Sequence, residues 1–126
     1  MTSEARRSLG VRGEDAVAAW YRRADFDILA RNWRSPEGEL DVVASSRDGS
    51  VIVVCEVKTR ASTRFGTGFE AVTPAKQRRL RRLAAQWLAT RRRSGGSGFA
   101  RVRFDVAAVT VSRSGDLEVD VLEDAF

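Results

Sequence analysis

Histidine is absent from this 126-residue chain. Without an imidazole there is no Ser-His-Asp triad, no His-ligated zinc and no phosphodiesterase chemistry that depends on a histidine base. Any metal must be held by oxygen ligands, which favours a hard cation such as Mg²⁺ or Mn²⁺. The single cysteine, Cys55, rules out an intrachain disulfide, and it falls inside an apolar run where a small thiol packs as a buried hydrophobe. No window approaches the ~20 consecutive apolar residues of a membrane helix. The first fifteen residues lack the apolar region of a signal peptide. A cytoplasmic protein without membrane attachment is therefore expected.

Lysine is almost as scarce. Of twenty-two basic residues only Lys58 and Lys76 are lysine, the rest arginine. Arginine is a permanently charged planar fork, whereas lysine is a compact ammonium whose pKa shifts when buried. A composition so biased suggests that a surviving lysine serves something other than bulk charge. Acidic residues are also missing from one long stretch. Between Glu70 and Asp105 lie ten basic residues and no acid, a block of +10, while the remainder holds twelve basic against seventeen acidic residues, or −5. A one-signed block of this size is an electrostatic footprint for a polyanion, here nucleic acid and in the first place DNA. Within it Lys76, Arg78, Arg79, Arg81 and Arg82 are the expected phosphate contacts, with Arg60 and Arg64 just upstream.

The length fits one domain, residues 1–126, which at this size buries roughly two-thirds of its unfolded surface. Hydrophobic residues at 43% and charged residues at 31% are those of a globular chain. Residues 1–10 carry no periodicity and are expected to fray. From about Arg12 to Arg23, Ala16, Val17, Trp20, Tyr21 and Ala24 recur at helical spacing, with Glu14 beside Val17 and Tyr21 on the inward face. Strands are expected at Phe26–Trp33, Glu39–Ser45 and Val51–Val57, separated by Ser35-Pro36-Glu37-Gly38 and Arg47-Asp48-Gly49-Ser50 turns. Strict alternation puts Glu39, Asp41 and Val43 on one face and Leu40, Val42 and Ala44 on the other. The run Val51 to Val57 reads as a central strand buried on both sides, with Glu56 and Lys58 emerging at its end.

Arg60 to Val72 reads as an exposed loop. Thr73-Pro74 is a helix start, N-cap then first helical position, for a helix running to about Thr90 with Leu80, Leu83, Ala84, Trp87 and Leu88 as its apolar stripe. Residues 94–98, Ser-Gly-Gly-Ser-Gly, form a flexible connector. Strands from about Arg101 to Ser112 and from Leu117 to Leu122 complete an α/β chain of order α-β-β-β-α-β-β.

The chemistry converges on one constellation. Glu56 and Lys58 share a strand face, and Asp41 lies in the strand before. Carboxylates that hold a divalent cation neutralise a phosphodiester and activate water. On this reading Asp41 and Glu56 are metal ligands, joined by the main-chain carbonyl of Val57. Lys58 orients the attacking water. Glu14 adds a ligand, with Glu39 a competing candidate, and Gln77 orients lysine, water or phosphate.

The blocks Gly13-Glu14, Ala30-Arg31-Asn32-Trp33, Gly38-Glu39-Leu40-Asp41, Glu56-Val57-Lys58-Thr59-Arg60 and Val72-Thr73-Pro74-x-Lys76-Gln77 resemble the bacterial YraN-like family of uncharacterised proteins. That family looks like the restriction-endonuclease-like superfamily of PD-(D/E)xK nucleases, especially archaeal-type Holliday junction resolvases. The resemblance implies a three-layer core with a central mixed sheet of about five strands flanked by helices. It also implies a Mg²⁺ site carried by Glu14, Asp41, Glu56 and Lys58. The proline that the superfamily places before its first aspartate is absent, Leu40 standing there. The expected activity is metal-dependent endonuclease cleavage of DNA, on branched or recombination and repair intermediates. A non-catalytic nucleic-acid-binding module on the same fold is the alternative. Junction resolution would favour a homodimer with two sites on opposed strands.

Overall fold

In a computed structural model, residues 2–61, 72–93, 95 and 101–126 are described. Their elements run α1 (Ser3–Arg23), β1 (Phe26–Ser35), β2 (Gly38–Ser46), β3 (Val51–Arg60), α2 (Pro74–Arg93), β4 (Arg101–Val111) and β5 (Leu117–Leu122). The expected order is thus found. Arg64, most of the expected 60–72 loop and the 94–98 connector apart from Gly95 lie outside the described residues.

The five strands form one mixed sheet in the order β1-β2-β3-β4-β5. β1, β2 and β3 make an antiparallel meander. β3 and β4 run parallel, α2 supplying the crossover, and β5 closes the far edge antiparallel to β4. Parallel neighbours need such a crossover, and the long Val51–Val57 apolar run occupies the central strand that it creates.

The two helices cover opposite faces. Against one face, Val17 and Tyr21 of α1 pack on Val42, Ala44, Val53, Cys55, Ala107 and Val109. Against the other, Leu80, Leu83, Ala84 and Trp87 of α2 pack on Leu40, Val43, Ile52, Val54 and Phe104. Each fully buried large aliphatic side chain contributes about 1.5–3 kcal/mol of transfer free energy, so these two stripes hold the three layers together.

Three sequence expectations need correction. The segment 1–10 is helical from Ser3, because the Thr2 hydroxyl caps the helix by accepting from Ala5 N at 3.0 Å and Glu4 sits in the first turn. This first half of α1 is mostly exposed, so it leaves no apolar periodicity to read. β3 continues to Arg60, which places Glu56 and Lys58 within the strand rather than at its end. Leu40 joins Val43 in the α2-side core, whereas strict alternation would group it with Val42 and Ala44. The ribbon is irregular here. β1–β2 pairing shifts register between Ile28 and Ala30, and Asn32 adopts φ 51°, a left-handed conformation that asparagine tolerates better than most residues.

Candidate active site

The site forms where β2 and β3 part. Their ladder ends at Val42↔Cys55, and the next residues outward are Asp41 and Glu56. Residues at such opposed positions share a face, here the face covered by α2. The freed backbone is not left unpaired: Val57 N donates to Asp41 Oδ2 at 2.8 Å. Asp41 thus replaces a ladder partner and is fixed in direction by it.

Asp41 and Glu56 are 9% and 8% exposed, and both line a cleft of about 230 Å³ with Gly38, Glu39, Lys76, Arg79 and Leu80. Burial and the neighbouring charges of Glu56, Glu14 and Glu39 raise the Asp41 pKa to about 7, against the lowering effect of the Val57 hydrogen bond. Both nearby ammonium groups turn to Glu56 instead.

Those ammonium groups belong to the only two lysines of the chain. Lys58 Nζ lies 3.5 Å from Glu56 Oε1, and Lys76 Nζ, arriving from the first turn of α2, lies 2.7 Å from the same oxygen. Burial and the adjacent Lys76 lower the Lys58 pKa. Lys76 is also desolvated, but its hydrogen bond to Glu56 and the charges of Glu56 and Asp41 outweigh that and raise its pKa. Thr73 fixes the approach of α2: its hydroxyl accepts from Lys76 N at 3.2 Å and its carbonyl accepts from Gln77 N at 2.9 Å.

Glu14 comes from the opposite helix. At the preceding residue α1 crosses β3 so closely that a Cβ on Gly13 would clash with the Thr59 hydroxyl. Only glycine fits that approach, and it brings Glu14 near enough for its charge to raise the Asp41 pKa. Glu14 is itself desolvated, which raises its pKa against the lowering effects of an Asn32 side-chain hydrogen bond and Arg31. Its Oε1 is buried without a hydrogen bond, 3.9 Å from the Arg31 guanidinium, which is committed to Asp15 at 2.7 Å.

The expected residues therefore separate into groups. Asp41, Glu56 and Lys58 come together, and Glu14 stands close to them. Glu39 lines the cleft but is half exposed and paired with Arg34 at 3.3 Å. Gln77 donates to the Val72 carbonyl at 3.2 Å and does not line the cleft. Among the α2 cations, Arg79 lines the cleft, Arg82 lies 3.8 Å from Glu37, and Arg81 sits over the Phe104 and Phe126 rings at 4.9 and 5.4 Å. Arg78 is exposed, and Arg60 is half-buried at the end of β3.

In the sequence Lys76 lies at the margin of the apolar stripe, one turn before Leu80, where it can face the sheet as well as a phosphate, but nothing names Glu56 as its partner, although the scarcity of lysine marks it as strongly as Lys58. Asn32 and Arg31 as neighbours of Glu14 are likewise additions of the structure, their signal being the Ala30-Arg31-Asn32-Trp33 block itself.

As a donor set, Asp41 and Glu56 in one cleft with an orphaned carboxylate oxygen on Glu14 fit a hard, oxygen-seeking cation. Among the described residues no three acidic or cysteine side chains already converge as a metal cage. The Glu56 carboxylate lies instead against the two ammonium groups. No helix among the described residues is long and apolar enough to cross a membrane.

Residues 13–109 match the family model described as "Uncharacterised protein family UPF0102". A UPF0102 protein of Acidothermus cellulolyticus is 45% identical over 131 residues, covering 99% of this chain and 98% of its own length. One from Kineococcus radiotolerans is 49% identical over 115 residues, covering 91% and 90%. One from Frankia alni is 45% identical across the full length of both chains. The matched span contains Glu14, Asp41, Glu56, Lys58 and Lys76.

Proposed function

We propose that this chain, which belongs to the uncharacterised protein family UPF0102, is a metal-dependent nuclease hydrolysing DNA phosphodiester bonds, with branched or recombination and repair intermediates as its substrates. One observation carries the reading: Asp41 and Glu56 line a single cleft while Lys58 reaches Glu56. The α-β-β-β-α-β-β order, with its mixed sheet between two helices, supports a restriction-endonuclease-like fold and its PD-(D/E)xK site.

In this reading Asp41, Glu56 and the Val57 carbonyl hold Mg²⁺ or Mn²⁺, and Glu14 contributes directly or through water. Such a cation supplies charge neutralisation at the phosphate and a bound water of lowered pKa. The protein's own residues do the rest. Val57 N–H holds Asp41 in orientation. Lys58, partly desolvated, orients the attacking water and stabilises negative charge as it develops. The α2 arginines, with Arg60 and Arg64, draw the DNA backbone to the cleft. Gln77, engaged with Val72, supports the entry into α2. Opposed cuts on a junction call for two such sites, hence a homodimer.

The second reading, a non-catalytic nucleic-acid-binding module, is favoured by the engagement of Glu56 with both lysines. The deciding experiment is cleavage of labelled duplex, single-stranded, flapped and four-way-junction DNA with Mg²⁺ or Mn²⁺. The nuclease reading expects the wild type to cut and both Asp41→Ala and Glu56→Ala to lose cleavage while retaining binding. A wild type that binds the panel and cuts nothing gives the binding module precedence.

A further inference from the structure

Lys76 is the unexpected member of the site. It lies in the first turn of α2, where a positive charge opposes the helix dipole and where the turn itself carries no acidic residue. Its side chain is only 22% exposed, yet it extends away from its own helix to make the shortest ion pair at Glu56, 2.7 Å against 3.5 Å for Lys58. Both ammonium groups use the same oxygen, Oε1. A divalent cation ligated by Glu56 and Asp41 would have to approach that carboxylate from the cleft that Lys76 lines. A dication held there would meet the Lys76 ammonium, the nearer of the two, at short range, and the repulsion favours displacement of one by the other.

Resting on the nuclease reading, we propose that Lys76 couples metal loading to DNA loading: it holds Glu56 in the free protein, and transfers to a phosphate oxygen of the bound strand when a cation takes its place. A phosphodiester is the acceptor that makes this exchange favourable. It offers Lys76 a new anion, and the N-terminal turn of α2 becomes a favourable place for that anion. Arg79, one turn nearer Leu80 and lining the same cleft, flanks the phosphate and keeps it beside Glu56. Lys58 shares a strand and a face with Glu56, so it remains beside the carboxylate in both arrangements. The two lysines thus have different duties: Lys58 serves the water, and Lys76 grips the phosphate and gates the carboxylate.

The coupling is reciprocal by linkage, so the factor by which DNA tightens cation binding must equal the factor by which the cation tightens DNA binding. Ca²⁺ titrations by calorimetry, with and without a short DNA duplex, measure both directions without relying on turnover. In the wild type, duplex is expected to tighten Ca²⁺ binding about tenfold. Lys76→Met and Lys76→Gln are expected to bind Ca²⁺ without DNA as tightly as the wild type does with it, abolishing the enhancement. Lys76→Arg restores the pairing and therefore the coupling. Circular dichroism confirms which variants are folded, and either neutral substitution suffices.

If both neutral variants keep the wild-type affinity and its enhancement by DNA, the proposal is overturned. Loss of Ca²⁺ binding in Asp41→Asn within that same series would leave the metal site standing without the gate. If no protein in the series binds Ca²⁺, with or without duplex, the proposal falls, while the nuclease reading is decided by the cleavage panel with Mg²⁺ or Mn²⁺.

Discussion

Asp41 is held by opposing demands. The Val57 amide favours its ionised form, while burial and three neighbouring carboxylates favour the protonated one, and the balance places its pKa at about 7 against an ordinary 3.8. A carboxyl whose folded pKa is raised keeps its proton longer in the folded state than in the unfolded chain. Between about pH 4 and pH 7 the native state therefore binds more protons, and stability falls as pH rises through that window. With divalent cations chelated, Asp41→Asn removes the penalty but leaves an oxygen to accept from Val57. The variant should be about as stable as the wild type near pH 4 and more stable at pH 8, by up to about 4 kcal/mol. The gap should open between these values and level off above pH 7. Thermal melts across the range check this, and a gap that closes with rising pH would mean that Asp41 is stabilised as an anion. A divalent cation should shrink the gap at pH 8, because it stabilises the wild-type carboxylate and has less to bind in the variant.

Among the elements, α2 does two jobs that its sequence presents as one. Its arginines read as a uniform basic face, but Arg79 lines the cleft, Arg82 approaches Glu37 and Arg81 lies on stacked Phe104 and Phe126. Replacing Arg78, Arg79 and Arg82 together by alanine should flatten the salt dependence of duplex binding by about 0.9 in log–log slope for each phosphate that is no longer neutralised. Stability should hardly change, since the Arg82–Glu37 pair is exposed and such pairs contribute little. Arg81→Ala should instead lower the melting temperature, because a cation stacked on aromatic faces contributes about 0.5–1 kcal/mol. Fluorescence anisotropy across a salt series and thermal melts separate the two effects. An unchanged slope in the triple variant would remove α2 from the proposed DNA interface. The contrast also marks what the sequence can convey. The Thr73-Pro74 start, the Leu80, Leu83, Ala84 and Trp87 stripe and the double-sided burial of β3 follow from local chemistry and periodicity, and all are present. The convergence of Asp41 with Glu56 is legible because both fall on adjacent strands. Lys76 at Glu56 is not, because helical phase says which face a side chain occupies but not where along the strand that face lands. Leu40 changes sides because alternation assumes an unbroken ribbon, and the left-handed Asn32 lies in this irregular region.

At the scale of the whole molecule, the placement of Glu14 beside the proposed metal site rests on another carboxylate that takes no part in its chemistry. Asp105 in β4 is fully buried and accepts from Tyr21 Oη of α1 at 2.6 Å, from Arg103 at 2.9 and 3.0 Å, and from the Asp124 amide at 2.9 Å. It therefore ties α1, the sheet and the C-terminal tail to a single point, and it pairs across the parallel ladder with Cys55, one residue before Glu56. Asp105→Asn keeps the volume but leaves the largely buried Arg103 without its main counter-charge, a kind of loss that costs about 3–5 kcal/mol. Tyr21→Phe removes one hydrogen bond and leaves the carboxylate its other donors, so about 1–3 kcal/mol is expected. Urea unfolding should rank wild type, Tyr21→Phe and Asp105→Asn in falling order, with the two losses not additive in the double variant because both act on one network. The functional consequence is directional. Loosening α1 displaces Glu14, which reaches the site from that helix, whereas Asp41 and Glu56 stay on their strands. Folded Tyr21→Phe should accordingly retain cation binding through Asp41 and Glu56 while its affinity shifts toward that of Glu14→Gln. If Tyr21→Phe binds cations like the wild type while Glu14→Gln does not, the position of Glu14 is secured by Gly13 and Asn32 without help from the Asp105 anchor.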